Sequence, residues 1–309
     1  MSSTTTILLL GKNGMLGQAI LQAFNKNDPE GTSFHIIAYG RGELDITNKK
    51  SVHEKIQKLK PEVVINATGY TNVDGAETER EKAFAVNAEG VWYVAEICAQ
   101  VKATLFHFST DYIFDGKEPE GYREDDTAHI NPLNVYGDSK RAGELRIENK
   151  ELNYFIIRTS WLYGAGGKNF VDTLLTRARD GQMEFKVVND QFGKPTYTGD
   201  LAEQVLWLIE RRGELKSGIY HCANEINSIT HSVAGISWYD FAREIFKQAH
   251  ELGIIKKAPL VVPCATFEFQ RPAKRPQYSV IRNTKLSPMR EWKGALRDYL
   301  TGIFLDIKR

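Results

Sequence analysis

What the chain lacks narrows it first. Of 309 residues only three are cysteine, Cys98, Cys222 and Cys264, and no two of them form a CxxC pair. An odd, scattered set excludes a disulfide framework and a cysteine zinc site, and it points to a reducing compartment. Long apolar runs are missing too. Near the amino terminus the only such run covers residues 7–10, with no basic residue before it. Four residues are too few for the core of a secretion signal, and no stretch nears the ~20 apolar residues of a membrane span. Nor is there an excess of one charge. Forty Lys and Arg against 39 Asp and Glu leave +1, which gives no electrostatic case for nucleic acid or a membrane surface. The expectation is a cytoplasmic, enzyme-sized protein that binds neither, with no metal site.

What is present is ordinary in bulk and informative in pattern. The 42% hydrophobic content suits a soluble globular chain, and this length allows one large α/β domain or a domain with a smaller companion. Strand patterns fall at 6–10, 35–39, 63–67, 104–109 and 154–158, each short, apolar and rich in branched or aromatic residues. Helical periodicity fills the gaps. After Thr47 or Asn48, either a fitting N-cap, Val52, Ile56 and Leu59 recur on one face, with Lys55, Lys58 and Lys60 on the solvated side. Such alternation predicts an α/β fold with a doubly wound parallel sheet. The second half is less regular. It reads as a shaped loop at 191–198, a helix at 201–211 capped by Asp200, and a strand at 218–223. A polar segment without pattern at 226–237 precedes helices at 238–252 and 292–307. No repeat or low-complexity tract appears.

Gly11, Gly14 and Gly17 follow the first strand directly and open a helix whose apolar positions are Leu16, Ile20, Leu21 and Phe24. Glycine permits the tight turn and lets backbone approach a pyrophosphate, while the helix start offers free N–H groups. A carboxylate at the tip of the second strand would bind a ribose 2′-hydroxyl and favour NAD; an arginine can pair with a 2′-phosphate. The tip reads Ala38-Tyr39-Gly40-Arg41 with no acid. That leans toward NADPH, with NADH left open, since Arg41 reads almost as well as a solvated turn residue. Asp45 follows at a distance suited to an adenine contact.

Among thirteen tyrosines only Tyr136 has lysine four residues on, Lys140. That spacing puts both on one helix face. A nearby ammonium depresses a phenol's pKa, which fits tyrosine for acid and base work at a carbonyl. Thr110 closes the fourth strand, at the end that faces the ligand crevice in such sheets. It suits a hydroxyl donor to a substrate carbonyl, or a plain strand-end cap.

These residues resemble the extended short-chain dehydrogenase/reductase family, and within it the dTDP-4-dehydrorhamnose reductases. The resemblance rests on GKNGMLG at 11–17, INATGYTNVDGAE at 65–77, FSTDYIFDG at 108–116, NVYGDSKRAGE at 134–144, RTSWLYG at 158–164, VVNDQFGKPT at 187–196 and RPQYSV at 275–280. It implies a catalytic triad of Thr110, Tyr136 and Lys140. It implies cofactor contacts from Gly11, Lys12, Asn13, Gly14, Met15, Leu16 and Gly17, from Arg41, Asp45 and Ile46, and from Ala67, Thr68 and Gly69. It assigns Thr71, Val73, Asp74, Thr110, Trp161, Gln191, Thr196 and Arg275 to the substrate, a nucleotide-activated 4-keto-6-deoxy sugar. Trp161 would stack on a sugar or pyrimidine face, or serve as a core aromatic. Arg271, Lys274 and Arg275 would clamp a diphosphate, or form a solvated loop. A dinucleotide-binding domain would take residues 1–165 and 198–223, and a smaller substrate domain 166–197 and 224–309. Some relatives dimerise around a divalent metal held by a carboxylate two residues past the third glycine. Ala19 stands there, so a monomer or a metal-free homodimer is expected.

Two rivals remain. One is a sugar-nucleotide dehydratase or epimerase; a dehydratase of this family would place glutamate after Thr110-Asp111, where this chain has Tyr112. A regulatory subunit of a methionine adenosyltransferase would not need Thr110, Tyr136 and Lys140 intact.

Overall fold

The computed structural model describes residues 4–227 and 234–308. Six parallel strands form its central sheet: β1 (Thr5–Leu10), β2 (Phe34–Tyr39), β3 (Val63–Asn66), β4 (Thr104–Thr110), β5 (Tyr154–Thr159) and β6 (Gly218–His221). They lie in the order β6-β5-β4-β3-β1-β2. The chain therefore leaves β1 on one side for β2 and returns on the other for β3, and a ligand crevice is expected outside the carboxyl ends at that reversal.

Alternation along the strands explains the two covered faces. Ile7 and Leu9 join one core with Ile20 and Phe24 of helix α1 (Met15–Asn27). Leu8 and Leu10 join the opposite core with Val52 and Ile56 of α2 (Lys49–Leu59) and Val91, Val94 and Ala95 of α3 (Gly90–Val101). Asn48 is the residue that caps α2, accepting from Ser51 N–H at 3.0 Å. Ala19 is buried in the first of these cores.

A third core belongs to the later chain. It joins Leu174 and Leu175 of a helix at Phe170–Arg179 to Phe185 and Val187 of the Glu184–Val188 strand. To these it adds Phe241 and Ile245 of a helix at Trp238–Glu251, and Trp292 and Leu296 of the last helix, Trp292–Lys308. Packing crosses the expected division in both directions: Tyr163 packs in this core, and Met289 in the sheet's.

Most boundaries differ from the sequence reading by a residue, and three depart further. The helix expected from 201 spans Thr198–Glu210, because the Asp200 side chain does not cap it but pairs with Arg290 and accepts from Asn224. β6 stops at His221. In the patternless segment, Ile236–Ser237 pairs antiparallel with Phe192–Gly193, while 228–233 lie outside the described residues. Among the described residues no helix is long and apolar enough to cross a membrane.

Candidate active site

At the β1/β3 reversal the backbone is too tight for side chains. Gly11 has φ 93°, and a Cβ there would meet Ala67 O at 2.8 Å; a Cβ on Gly17 would meet Gly11 O at 2.2 Å. Helix α1 begins with Gly14 as its cap and no side chain bonded to its first N–H groups, which leaves donors for an anion. Beside it lies a cavity of about 270 Å³ walled by Gly11, Asn13, Gly14, Arg41, Asp45, Ile46, Ala67, Thr68 and Gly69. These residues fit a dinucleotide with its pyrophosphate on the glycine turn. Of the other expected cofactor residues, Leu16 and Gly17 are buried in α1, and Met15 lies against Gly167.

The tip of β2 does carry an acid. Glu43 folds back to accept from Gly40 N–H at 2.8 Å and pairs with Lys12 at 2.7 Å. The turn that brings it there has Glu43 and Leu44 N–H both donating to Gly40 O. Arg41, largely exposed, pairs with Asp45 at 3.1 Å, and Asp45 also accepts from the Thr47 N–H and hydroxyl. Two cation–carboxylate pairs thus stand where a ribose would end.

Thr110 ends β4, and Tyr136 and Lys140 lie on helix α4 (Val135–Glu148). Asn134 caps that helix by accepting from Gly137 N–H at 2.8 Å, and its amide donates to Lys274 O, tying the helix to the later chain. Lys140 is buried and its Nζ donates to Phe108 O at 2.5 Å. Burial brings the Lys140 ammonium down to about 8, partly opposed by Glu144. The Tyr136 phenol is pushed up to about 12 by burial, with the Thr110 hydroxyl in hydrogen-bonding reach working against the rise and Asp111 adding to it. The depressed phenol expected from the Tyr136–Lys140 spacing is therefore not found: burial outweighs the neighbouring charge, and Lys140 is turned to Phe108 O. A neutral phenol at pH 7 is the form that donates a proton.

Behind Lys140 sits a pair that sequence reasoning missed. Glu144, fully buried, accepts from Arg158 Nε and Nη2 at 2.9 Å each. Burial pushes its carboxyl up, but Arg158, Ser109 and Arg141 together hold it below the usual range. The i, i+4 step from Lys140 was the available signal.

A second cavity, about 720 Å³, opens from Tyr112 into the later chain. Phe170, Leu174, Phe185 and Trp238 give it apolar walls, and Arg177, Lys186, Arg271, Lys274 and Arg275 give it cations. Tyr112 stands edge-on to Tyr136 with ring centroids 6.0 Å apart, so this cavity adjoins the catalytic candidates. Gln191 and Arg275 line it as expected from the motifs, whereas Thr71, Val73, Asp74, Trp161 and Thr196 are not in its wall. Asp74 nevertheless binds Arg275 at 2.9 Å and Arg271 at 3.2 Å, so it orders two wall cations. Thr196 is fully buried and pairs with Leu162. One face of Trp161 is already covered: its ring stacks on Trp238, centroids 3.6 Å apart, and its backbone is left-handed at φ 46°. Trp238, not Trp161, faces the cavity.

This arrangement has close counterparts. Residues 5–304 match the family described as the RmlD substrate binding domain. A dTDP-4-dehydrorhamnose reductase of Aggregatibacter actinomycetemcomitans is 38% identical over 94% of this chain and 97% of its own. The spore coat polysaccharide biosynthesis protein SpsK of Bacillus subtilis is 37% identical over 96% and 97%. Among solved structures, a Bacillus anthracis dTDP-4-dehydrorhamnose reductase in complex with NADP superposes with a TM-score of 0.86 at 35% identity, covering 97% of this chain and all of that one.

Proposed function

The chain belongs to the family of the RmlD substrate binding domain, and from that premise we propose that it reduces the C4 keto group of dTDP-4-dehydro-L-rhamnose to give dTDP-L-rhamnose. The observation that supports this most directly is local. The Thr110 hydroxyl and Tyr136 phenol meet at the ligand end of β4, with Lys140 held one helical turn away.

NADPH, seated on the glycine turn, supplies the hydride when bound. Gly11, Asn13 and Gly14 hold its pyrophosphate, and Arg41 and Lys12 face its 2′-phosphate. Tyr136, neutral at working pH, donates its proton to the oxygen that becomes the C4 hydroxyl. Thr110 donates a hydrogen bond to the same oxygen, stabilising charge that develops in the transition state. Lys140 positions the nicotinamide ribose. Trp238 and the apolar wall take the nucleoside end of the substrate, and Arg275, ordered by Asp74, takes the diphosphate. The sheet and its two faces thus serve the cofactor, and the third core serves the sugar nucleotide. Tyr112, where a dehydratase would need a further acid, argues against elimination.

The working form is a monomer or a homodimer; sedimentation distinguishes the two. The cysteines are free and buried, in keeping with a reducing cytoplasm.

The test is NADPH oxidation with the 4-keto-6-deoxy sugar nucleotide generated in place by a 4,6-dehydratase and a 3,5-epimerase. Turnover that requires the epimerase and yields dTDP-L-rhamnose is expected. Turnover without it would move the substrate to the D-series, and none with either cofactor would overturn the reading.

A further inference from the structure

Asp111 is a carboxyl that the mechanism above leaves unused, although it adjoins Thr110. It is 3% exposed. Its Oδ1 lies 3.0 Å from Thr110 Oγ1. Its Oδ2 is buried with no hydrogen bond of good geometry among the described residues. The Ser279 hydroxyl, 3.3 Å from Phe192 O, is also in hydrogen-bonding reach of the carboxyl. Among the described residues Asp111 forms no ion pair, unlike Asp74 with its two arginines.

The valence of the Thr110 hydroxyl makes this neighbour decisive. A hydroxyl has one proton and two acceptor sites. One site is taken by Tyr112 N–H at 3.2 Å. If Asp111 were a carboxylate it would be acceptor-only, and it would draw the single Thr110 proton at 3.0 Å. Nothing would then remain to donate to a substrate oxygen. If Asp111 is protonated, its O–H donates to the second acceptor site, and the Thr110 proton is released toward the Tyr136 phenol in hydrogen-bonding reach and the keto oxygen bound beside it. Only the second arrangement lets Thr110 serve a keto oxygen beside Tyr136.

We infer that Asp111 works as a neutral carboxylic acid that orients the Thr110 hydroxyl toward the reacting carbonyl oxygen, making it a positioning residue for the reduction. The inference rests on the reduction proposed above. Burial supports it. Desolvation pushes the Asp111 carboxyl up to about 7, against hydrogen bonds from Ser279, from Thr110 and from the backbone of Asp111 and Tyr112. The groups around it are Thr110 and Tyr112 on its own loop, the Tyr136 phenol from α4 and Ser279 from the later chain. The Arg275 guanidinium lies 5.9 Å from the centroid of the Tyr112 ring, and Lys140 is turned to Phe108 O. Glu144 differs: burial raises it too, but Arg158 and its other partners hold it low.

The sign of the pH effect follows. Asp111 is neutral below about 7 and ionises above it, so turnover falls as pH rises through that point. A second fall comes near 8 as Lys140 loses its proton. Asp111→Asn keeps an N–H donor for Thr110 and cannot ionise. Its turnover at pH 6 should lie within about tenfold of wild type, the loss of a single well-placed donor costing more. It should lack the fall near 7 while keeping the one near 8. Asp111→Leu, without a donor, should lose on the order of 100-fold in kcat with NADPH affinity unchanged. An infrared spectrum of the wild-type enzyme should show a protonated carboxyl C=O band at pH 6 that bleaches by pH 8, a measurement that needs no variant to fold. A fall near 7 that persists in Asp111→Asn, or no titrating carboxyl band in wild type, overturns the role of Asp111 while leaving the reduction intact. Absence of any turnover by wild type overturns the reduction and this inference with it.

Discussion

The two cavities are made of different material. The first, at the β1/β3 reversal, is made of backbone: one carbon added to Gly17 would stand 2.2 Å from Gly11 O. The second is made of side chains, with Phe170, Phe185 and Trp238 set beside Arg177 and Arg275. A backbone site admits one conformation and little change of residue. A side-chain site holds its shape by packing and is adjusted one contact at a time. On the function proposed above, the lesson is a division between a fixed cofactor seat and an adjustable substrate seat, with Thr110, Tyr136 and Lys140 between them.

Four substitutions would break or sharpen that contrast. Tyr136→Phe belongs to neither seat. It should lower kcat by about 10²- to 10⁴-fold while titrations with NADPH and with product stay near wild type; a large loss of either affinity would make the phenol part of a seat. Gly17→Ala should weaken NADPH by on the order of 100-fold or more, since misplacement by an ångström suffices for that, and should lower Tm. NADPH fluorescence at unchanged affinity would show that the turn is not the seat. Trp238→Ala should raise KM for the sugar nucleotide by about tenfold, the scale of one aromatic stack, with NADPH affinity untouched; an equal effect on both ligands would erase the division. Smallest is Glu43→Gln. It frees Lys12 from its exposed pair, and exposed pairs contribute little. Calorimetry should show NADPH binding a few-fold tighter and NADH no tighter; the opposite order would place Glu43, not Lys12, against the ribose.

The same contrast explains what the residues disclosed before any coordinates. The glycine turn is legible because its cause is local: tight turn and helix start follow the strand directly, within the 7 residues from Gly11 to Gly17. Tyr136 and Lys140 are legible for the same reason, being one turn apart on one helix. The wall of the second cavity draws on Tyr112, on the stretch from Phe170 to Gln191, on Trp238 and on Thr266 to Arg275. No spacing along the chain encodes that assembly. Trp238 therefore read only as a helix start, while Thr196 and Trp161, placed by motif, are not in the wall, Trp161 being stacked on Trp238. Burial was equally hidden. The Tyr136–Lys140 spacing points to a depressed phenol, but the desolvation that overrides it comes from packing. Glu43 escaped notice because it reaches the β2 tip by a turn that reverses on Gly40.

Trp161 has a consequence for anyone who wishes to alter substrate range. It stands two residues past the end of β5 and two before Tyr163, which packs in the third core. Its left-handed backbone is therefore the elbow through which the sheet hands the chain to its neighbour. Non-glycine residues hold that conformation at a cost of about 1–3 kcal/mol, here set against a close ring stack on Trp238. Replacing Trp161 changes the elbow's set along with its chemistry, so a library at that position would sample cleft width more than recognition. Diversity placed at Trp238 tests recognition at the wall, and aromatic replacements there keep the ring stack that supports the elbow.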